Sequence, residues 1–423
     1  MIRDPGSRLL ALFDHDTMRP LAPADDSGVL HARGSVDGTP AIAFATDASR
    51  MGGAIGVAGC GRVVEAIDLA IRERVPVIGV WHSGGARLDE GVVALDAAGQ
   101  IFAATVRASG RIPQVSVLAG PTSGSAAYAA ALTDVVITGV GDSPRVAHVL
   151  ADGDEAALDA ARRTARMLGH PGRLSPADIR PGSTLGRSLD SLLPVVTDQA
   201  YDVRPLLRAL LDENGMELHA PWAPNLVTTL GRFAGRTVGV VANNPQHLDG
   251  CLDAAAAEKA ARFVRMCDAL ALPLIVVVDT PGYLSGPDAV VLGGAQLLHA
   301  FAEAVVPRVT LVTRRAYGGA YLAMNSRALG ASAVFAWPGT ELAVHDPAAA
   351  VPILHHRRLA ATPPEERGAL HERLAREGVE TAGRALEIGL LDAVVTPDET
   401  RRRIAEALAA APPARGAHGN IPL

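Results

Sequence analysis

Short β-branched runs alternate along the chain with longer stretches in which apolar residues recur at helical spacing. Residues 75–80, 114–118, 272–279 and 309–313 are rich in apolar and β-branched side chains, as is typical of buried strands. Each run leads into a turn that contains glycine, and a helical pattern follows. Since strands that alternate with helices form layered sheets, the pattern predicts an α/β fold.

Two of these units are built alike, at residues 112–134 and 306–337. Both read as a strand, a glycine turn, an Ala-Tyr pair and a helix, and another strand with a glycine turn precedes each of them. The turn residues are Gly120, Pro121, Gly124 and Ser125 in the first unit and Gly318, Gly319 and Ala320 in the second. We interpret the repetition as an internal duplication with two related sites.

The two turns offer a specific chemistry. Backbone N–H groups at the beginning of a helix have no acceptor within the helix, and the helix dipole is positive there. Such donors suit an oxygen on which negative charge develops during a reaction. The alternative is that the glycines only permit the backbone geometry of a turn.

The remaining pattern divides the chain into two halves. Hairpins are predicted at Asp37-Gly38 and Ala234-Gly235, and the segment 169–199, rich in Gly, Pro and Ser, is predicted to be a linker. We therefore predict domains at residues 1–194 and 195–423. Helices are predicted over residues 62–72, 88–109, 152–167, 203–212, 253–270, 293–304, 364–378 and 398–410, and disorder over 412–423.

Composition narrows the classes of function. The chain has 423 residues and a net charge of −6, which argues against nucleic acid as a partner. Three cysteines are too few and too scattered for a disulfide framework or a zinc site, and we predict no metal. No apolar run approaches the roughly 18 residues of a membrane span, and the first residues do not resemble a signal peptide. We therefore expect a cytoplasmic protein that binds no membrane.

Sequence motifs in order along nearly the whole chain carry a family resemblance. They are DPGS at Asp4, GGAIG at Gly52, SGGARLDEGV at Ser83, SGRIPQVSVLAGPTSG at Ser109, VGVVANNP at Val238, EKAARFVRMCDAL at Glu258, DTPGYL at Asp279, VPRVTLVTRRAYGGAY at Val306, FAWPGTELAV at Phe335 and GLLDAVVTPDETR at Gly389. The chain resembles the carboxyltransferase (β) subunits of biotin-dependent acyl-CoA carboxylases, of the propionyl-CoA and acetyl-CoA carboxylase type.

The resemblance implies tandem crotonase-like (ClpP/crotonase) domains, with acyl-CoA on the first domain and carboxybiotin on the second. It also implies a carboxyltransferase enzyme in which one oxyanion hole holds the thioester oxygen as an enolate and another holds the ureido oxygen of biotin. By resemblance the catalytic residues are Gly124 and Ser125 in the first hole and Gly319 and Ala320 in the second. The substrate-binding residues implied are Gly53, Arg62, Gly84, Gly85, Ala86, Tyr128, Gly318 and Leu322.

Partners follow from the same resemblance. Lys259, the only lysine, lies in a predicted helix and not between the methionines of a biotin-carrier motif. Biotin should therefore reach the site on a separate biotin carboxyl carrier subunit, charged by a biotin carboxylase, and the coenzyme A thioester is the other substrate. Members of the family are commonly homo-oligomers, here expected to range from dimer to hexamer.

Several departures from the family leave three functions open. Ser125 replaces the usual Gly, Asp89 replaces Gln, and the segments after Gly139 and Leu284 are shortened. The first hypothesis is carboxyl transfer from biotin to an acyl-CoA or acyl-carrier thioester. The second is biotin-independent decarboxylation of a malonyl-type thioester. The third is a non-catalytic subunit that assembles a carboxylase.

Overall fold

In the computed structural model, two sheets carry two consecutive parts of the chain. The structure describes residues 4–23, 25–139, 141, 145–169, 189–194, 196, 199–284, 286 and 288–420. The predicted domain boundary between residues 194 and 195 falls between the two sheets. Most of the predicted linker, residues 169–199, lies outside the described ranges.

The first sheet has seven strands hydrogen-bonded in chain order. They are β1 (Arg19–Pro20), β2 (Val29–Val36), β3 (Thr39–Thr46), β4 (Val77–Ser83), β5 (Gln114–Thr122), β6 (Val135–Thr138) and β7 (Val149–Leu150). β2 and β3 form the predicted hairpin, and β3 to β7 are parallel. The helices are α1 (Pro5–Leu12), α2 (Val57–Glu73), α3 (Val92–Ala108), α4 (Gly124–Ala131) and α5 (Gly153–Gly169).

The second sheet repeats this order with additional strands at its far edge. Its strands are β8 (Met216–Leu218), β9 (Leu226–Phe233), β10 (Arg236–Asn243), β11 (Leu274–Thr280), β12 (Arg308–Tyr317), β13 (Ala333–Ala336), β14 (Glu341–Ala343), β15 (Glu380–Thr381) and β16 (Ala393–Val394). The helices are α6 (Arg204–Leu210), α7 (Ala254–Ala269), α8 (Asp288–Glu303), α9 (Gly318–Ala323), α10 (Pro347–Leu354), α11 (His356–Ala361), α12 (Arg367–Glu377), α13 (Ala382–Glu387) and α14 (Pro397–Ala410).

The internal duplication is confirmed at the level of individual residues. Strands β2, β3 and β4 begin at Val29, Thr39 and Val77, and strands β9, β10 and β11 begin at Leu226, Arg236 and Leu274, so a single constant offset in numbering relates all three pairs. The register between the two central strands of each sheet shifts at the same place, between Trp81 and Ser83 and between Val278 and Thr280. The two halves therefore share backbone irregularities as well as their order of elements.

One buried cluster joins the two halves. It contains apolar residues of the first sheet and of α5 together with residues of α7 and β9, among them Val117, Ala161, Ala260 and Leu230. Small alanine side chains on α5 and α7 allow close packing of elements from both halves. The two sheets therefore share a continuous hydrophobic core.

The predicted disorder of the C-terminal tail is wrong for residues 412–420. Asn420 is 3 % exposed, and its Nδ2 donates to Oδ1 of the buried Asp134 at 2.8 Å. Nε2 of His418 lies 2.9 Å from Oδ2 of Asp268, a buried residue of α7 in the second half. Composition did not reveal this, because buried carboxylates of both halves, and not an apolar face, hold the tail.

Three helix starts differ from the prediction by four or five residues, and one is that of α2, which begins at Val57 and not at residue 62. The helix expected over residues 88–109 begins only at Val92, because Gly91 adopts a φ of 65° after a short 3₁₀ turn. Helix α8 begins at Asp288, about one turn before the predicted residue 293. Among the described residues, none of the helices combines the length and the apolarity that a bilayer crossing requires.

Candidate active site

The first candidate site lies where β5 passes into α4. Ser123 precedes the helix without capping it through its side chain, and its own N–H donates to the Ser83 carbonyl at 3.0 Å. Gly124 opens the helix with a φ of 56°, a conformation that disfavours a side chain. The N–H groups of Gly124 and Ser125 therefore begin a helix with neither an intrahelical nor a side-chain acceptor.

A second glycine turn, Ser83 to Ala86, packs against this helix start. A Cβ atom placed on Gly85 would lie 3.6 Å from the Ser123 carbonyl oxygen, so the two backbones approach closely. Ile55 N–H donates to the Gly85 carbonyl at 2.8 Å, and Arg87 N–H donates to the Ile55 carbonyl at 3.1 Å. This parallel bridge does not use the Ala86 N–H, so Ala86 and Ser125 can serve as the two donors of one oxyanion hole.

Gly53 packs against the backbone at the end of β4, directly before this turn. Its φ is 78°, and a Cβ there would lie 1.9 Å from the His82 carbonyl oxygen. Gly84 N–H donates to the Gly52 carbonyl at 3.0 Å. Gly53 is thus required by packing, and the structure places it beneath the end of β4.

The second candidate site repeats the first at the equivalent point of the second sheet. Leu252 N–H donates to the Gly282 carbonyl at 3.0 Å, and Leu284 N–H donates to the Leu252 carbonyl at 2.9 Å. In this bridge the N–H of Tyr283 makes no hydrogen bond with Leu252, as the N–H of Ala86 makes none with Ile55 in the first half. Gly318 opens α9 with a φ of 60°, and the preceding residue provides no side-chain cap. The N–H groups of Tyr283 and Gly319 accordingly correspond in position to those of Ala86 and Ser125.

The two helix starts also correspond residue by residue. Since α4 begins at Gly124 and α9 begins at Gly318, aligning the two helices pairs Ser125 with Gly319. The predicted pairs, Gly124 with Ser125 and Gly319 with Ala320, are therefore displaced by one position relative to each other. Sequence reasoning did not identify Tyr283. The signal that could have found it is the repeat itself, in which DTPGYL of the second half aligns with HSGGAR of the first and places Tyr283 opposite Ala86.

Two further predicted residues also correspond. Tyr128 and Leu322 are the fifth residues of α4 and α9, and their side chains are 69 % and 49 % exposed. Each lies one helical turn beyond its hole, where a substrate can contact it. A ring edge of Tyr283 lies near Gly319, with 3.9 Å between its Cδ2 atom and a Cβ placed on that glycine.

Arg62 lies on α2 and already has partners. Its Nη2 donates to Oδ2 of Asp25 at 2.8 Å, and its Nη1 lies 3.4 Å from Oε2 of Glu65. The Arg62 guanidinium holds the pKa of Asp25 well below its usual range. To reach a coenzyme A phosphate, the Arg62 side chain would have to exchange these carboxylates for the phosphate.

Lys259 is enclosed by the protein. Its Nζ donates to the Trp222 carbonyl at 2.9 Å and to the Leu226 carbonyl at 2.7 Å, and burial lowers its pKa to about 8. This side chain is not accessible for attachment of biotin. Within the described ranges, no group of three or more His, Cys, Asp or Glu side chains could hold a metal ion.

Comparison with known proteins shows the family to which the chain belongs. The carboxyl transferase domain matches residues 3–144 and 145–416. The acetyl-/propionyl-coenzyme A carboxylase beta6 subunit of Mycobacterium tuberculosis is 50 % identical over 461 aligned positions, which cover 100 % of this chain and 97 % of the relative. The propionyl-CoA carboxylase beta chain of Rhodococcus erythropolis is 49 % identical, over 100 % of this chain and 97 % of that relative.

Solved structures show the same fold. Transcarboxylase 12S, crystallised as a hexamer with methylmalonyl-coenzyme A and methylmalonic acid bound, superposes with a TM-score of 0.89 at 32 % identity. The superposition covers 99 % of this chain and 92 % of that one. The alignments with the curated relatives contain more positions than this chain has residues (461 and 464 against 423), so this chain lacks some residues that the relatives have.

Proposed function

The chain belongs to the carboxyl transferase family, as a carboxyltransferase of the biotin-dependent acyl-CoA carboxylases, and we propose that its two related helix starts divide the reaction between them. The observation that carries the proposal is the repeated pair of backbone donors, Ala86 with Ser125 and Tyr283 with Gly319. Carboxyl transfer develops negative charge on two oxygens, one on each substrate, and two preorganised pairs of donors match that need.

In the proposal, the first half, residues 1–194, binds the acyl-CoA thioester. Its carbonyl oxygen lies between the N–H groups of Ala86 and Ser125. Biotin that has given up its carboxyl group would accept the proton of the α-carbon. The electron pair left on that carbon would delocalise onto this oxygen as an enolate, which both N–H groups stabilise. The Gly84-Gly85 backbone, which carries no side chain, leaves room for the thioester close to the donors.

The second half, residues 195–423, binds biotin. The group fits this half because Gly319 has open space next to its backbone and because the ring of Tyr283 flanks the helix start. Biotin on its carrier protein would supply the carboxyl group, and its ureido oxygen would be the acceptor for the donors of this half. The N–H groups of Tyr283 and Gly319, with Ala320 behind them on α9, hold that oxygen.

We propose acetyl-CoA and propionyl-CoA as the acyl substrates, since the relatives of about 50 % identity carry those names. Tyr128 and Leu322 are the side chains on the two helices that contact the acyl group. Both are exposed in the single chain, which suits residues that complete a pocket only when another surface closes over them.

The proposed partners are a biotin carboxylase, a biotin carboxyl carrier subunit and further copies of this chain. Helices α3 and α8, which correspond in the two halves, both expose apolar residues close to the holes. Val92 is 81 % and Leu95 69 % exposed on α3, and Val291 is 70 % and Leu292 66 % exposed on α8. Exposed apolar faces of this kind mark contact surfaces between proteins.

The reaction can be tested in reverse with the purified chain and free biotin. Mass spectrometry would follow loss of the carboxyl group from malonyl-CoA and methylmalonyl-CoA, with and without biotin. We expect loss only when biotin is present. Loss without biotin would replace the proposal by a decarboxylase, and no turnover in either condition would favour a subunit that only assembles a carboxylase.

A further inference from the structure

The second hole is built on a network of buried charges that the reaction itself does not use. Asp279 is 1 % exposed and lies at the register shift where β11 ends. Its Oδ2 accepts a hydrogen bond from Nε of Arg314 at 2.7 Å, and its Oδ1 accepts one from Nε of Arg315 at 3.3 Å. The two arginines are 6 % and 3 % exposed.

Arg315 makes a second ion pair from the same guanidinium. Its Nη1 and Nη2 donate to the two carboxylate oxygens of Asp249 at 2.8 and 2.7 Å, a two-pronged arrangement that only arginine can form. Asp249 belongs to the turn that ends at Gly250, and a Cβ on Gly250 would lie 2.5 Å from the Asp279 carbonyl oxygen. One side chain thus connects this turn, the end of β11 and the end of β12.

These connections bear directly on the two donors of the hole. Tyr283 follows Asp279 by four residues, and Gly319 follows Arg315 by four residues. Each donor therefore lies four residues after a buried residue, and the Arg315–Asp279 contact joins these two buried residues. The Arg315 guanidinium, held between Asp249 and Asp279, fixes the spacing of the segments that carry the donors.

The first half places a buried arginine at the same point by a different route. His82 corresponds to Asp279, and Gly120 and Pro121 occupy the positions of Arg314 and Arg315. There, Arg8 of α1 is 1 % exposed, and its Nη2 lies 3.3 Å from Nδ1 of His82 and donates to the Ala119 carbonyl at 3.3 Å. The two arginines come from positions that do not correspond in the repeat. Both halves therefore have a buried arginine at this point, but it belongs to different elements.

We propose that Arg315, held by Asp249 and Asp279, is a positioning residue that sets the geometry of the second oxyanion hole. Its side chain is buried between the two carboxylates. This inference rests on the proposed role of Tyr283 and Gly319 as donors. Lysine at position 315 would keep the charge but lose the two-pronged contact, so the turn and the two strand ends could move apart.

The test compares Arg315→Lys with Arg204→Lys in the full chain. Arg204 of α6 also makes a two-pronged contact, from Nε and Nη2 to the Glu217 carboxylate at 2.7 and 2.8 Å. Glu217 lies on β8, at the opposite edge of the sheet from β14 and β15. Both variants should lose stability. Only Arg315→Lys should lower the turnover of biotin-dependent decarboxylation, by roughly 10- to 100-fold, because small displacements of catalytic groups cost about that much.

Hydrogen exchange supplies a readout that does not depend on activity. Peptides covering residues 279–284 and 315–322 should take up deuterium faster in Arg315→Lys than in the unsubstituted chain, and should be unchanged in Arg204→Lys. The KM for the acyl-CoA should stay constant in both variants, because the first half is not touched.

Unchanged turnover or unchanged exchange in Arg315→Lys would overturn the inference, as would an equal loss of turnover in Arg204→Lys. If the unsubstituted chain shows no biotin-dependent reaction while Arg315→Lys still accelerates exchange at the hole, the proposed function fails and the positioning role stands.

Discussion

At the scale of single residues, the site consists of backbone N–H groups more than of side chains. Ser125 and Gly319 occupy the same position in the two halves, although one carries a hydroxymethyl group and the other carries nothing. A backbone N–H can donate a hydrogen bond whatever side chain its residue carries, provided that the side chain does not fill the space of the acceptor. A bulky side chain added at position 319 should therefore block the site, whereas removal of the side chain at position 125 should not.

Gly319→Val should block the second hole while the fold persists. The nearest atom to a Cβ at this position is 3.9 Å away, so the added side chain fills the space of the substrate and not that of the core. We expect carboxyl transfer to biotin to fall at least about 100-fold and acyl-CoA affinity to stay within about threefold. Gly368→Val on α12, where a Cβ also meets nothing, is the control. Loss of acyl-CoA binding with an unchanged circular dichroism spectrum would contradict the assignment of the two sites.

Ser125→Gly should leave turnover within about threefold of the original, because the N–H that stabilises the enolate is retained. The measurement is the steady-state rate of biotin-dependent loss of the carboxyl group from methylmalonyl-CoA and from malonyl-CoA. A loss of more than about 100-fold would show that the Ser125 hydroxyl takes part in the chemistry.

At the scale of elements, each site depends on a turn that passes beneath the end of a strand. Residues 51–53 do this in the first half and residues 248–250 in the second, and each turn holds a glycine against a backbone carbonyl group. The carbonyl belongs to the residue at the register shift, His82 or Asp279. Packing beneath the strand therefore fixes where the strand ends and where the hole begins.

Gly53→Ala and Gly52→Ala separate packing from conformational strain. Both glycines have positive φ, 78° and 61°, but a Cβ meets the His82 carbonyl oxygen at 1.9 Å in one case and nothing in the other. Gly52→Ala should cost about 1–2 kcal/mol of unfolding free energy from backbone strain. Gly53→Ala should cost clearly more and weaken acyl-CoA binding, as measured by urea denaturation and calorimetry. Equal costs would mean that the turn can move away from β4.

The strand–turn–helix units could be predicted from sequence because their signals are local. An apolar run, a glycine turn and a small-residue helix are each encoded in a short stretch of chain, and Gly124, Ser125, Gly319 and Ala320 followed from them together with the family resemblance. Ala86 is among the substrate-binding residues that the resemblance implies, but a donor role for its N–H, like that of Tyr283, does not follow from a local pattern. The availability of both N–H groups depends on bridges to Ile55 and Leu252, which tertiary packing brings alongside.

At the scale of the whole molecule, the C-terminal tail connects the two halves through buried carboxylates. The Asp134 carboxylate of the first half accepts from Asn420, and the Asp268 carboxylate of the second contacts His418. The backbone carbonyl of Asp268 also accepts from the Gly416 N–H. Burial raises the pKa of Asp134 to about 6, while its hydrogen bonds with Asn420 and with Gln114 N–H act in the opposite direction. The tail had no apolar periodicity, so sequence patterns indicated disorder.

Asn420→Ala should destabilise the protein in a pH-dependent manner. The hydrogen bond from Asn420 stabilises the charged form of Asp134, whose pKa in the folded state is about 6. Above pH 6 its removal leaves a buried carboxylate oxygen without its donor, at a cost of about 1–3 kcal/mol. Below that pH Asp134 is protonated and the cost shrinks. Urea denaturation at pH 8 and pH 5 should show a larger loss at pH 8, and an equal loss would argue against this account.

The contact between Asp134 and Asn420 also has a consequence for synthesis on the ribosome. The two residues are 286 positions apart in sequence, which at about 5–20 residues per second corresponds to roughly 15–60 seconds of translation. Asp134 therefore leaves the ribosome long before its partner has been made. During that interval the nascent first half carries this carboxylate without the Asn420 donor, so its packing around Asp134 is completed only after nearly all of the second half has been synthesised.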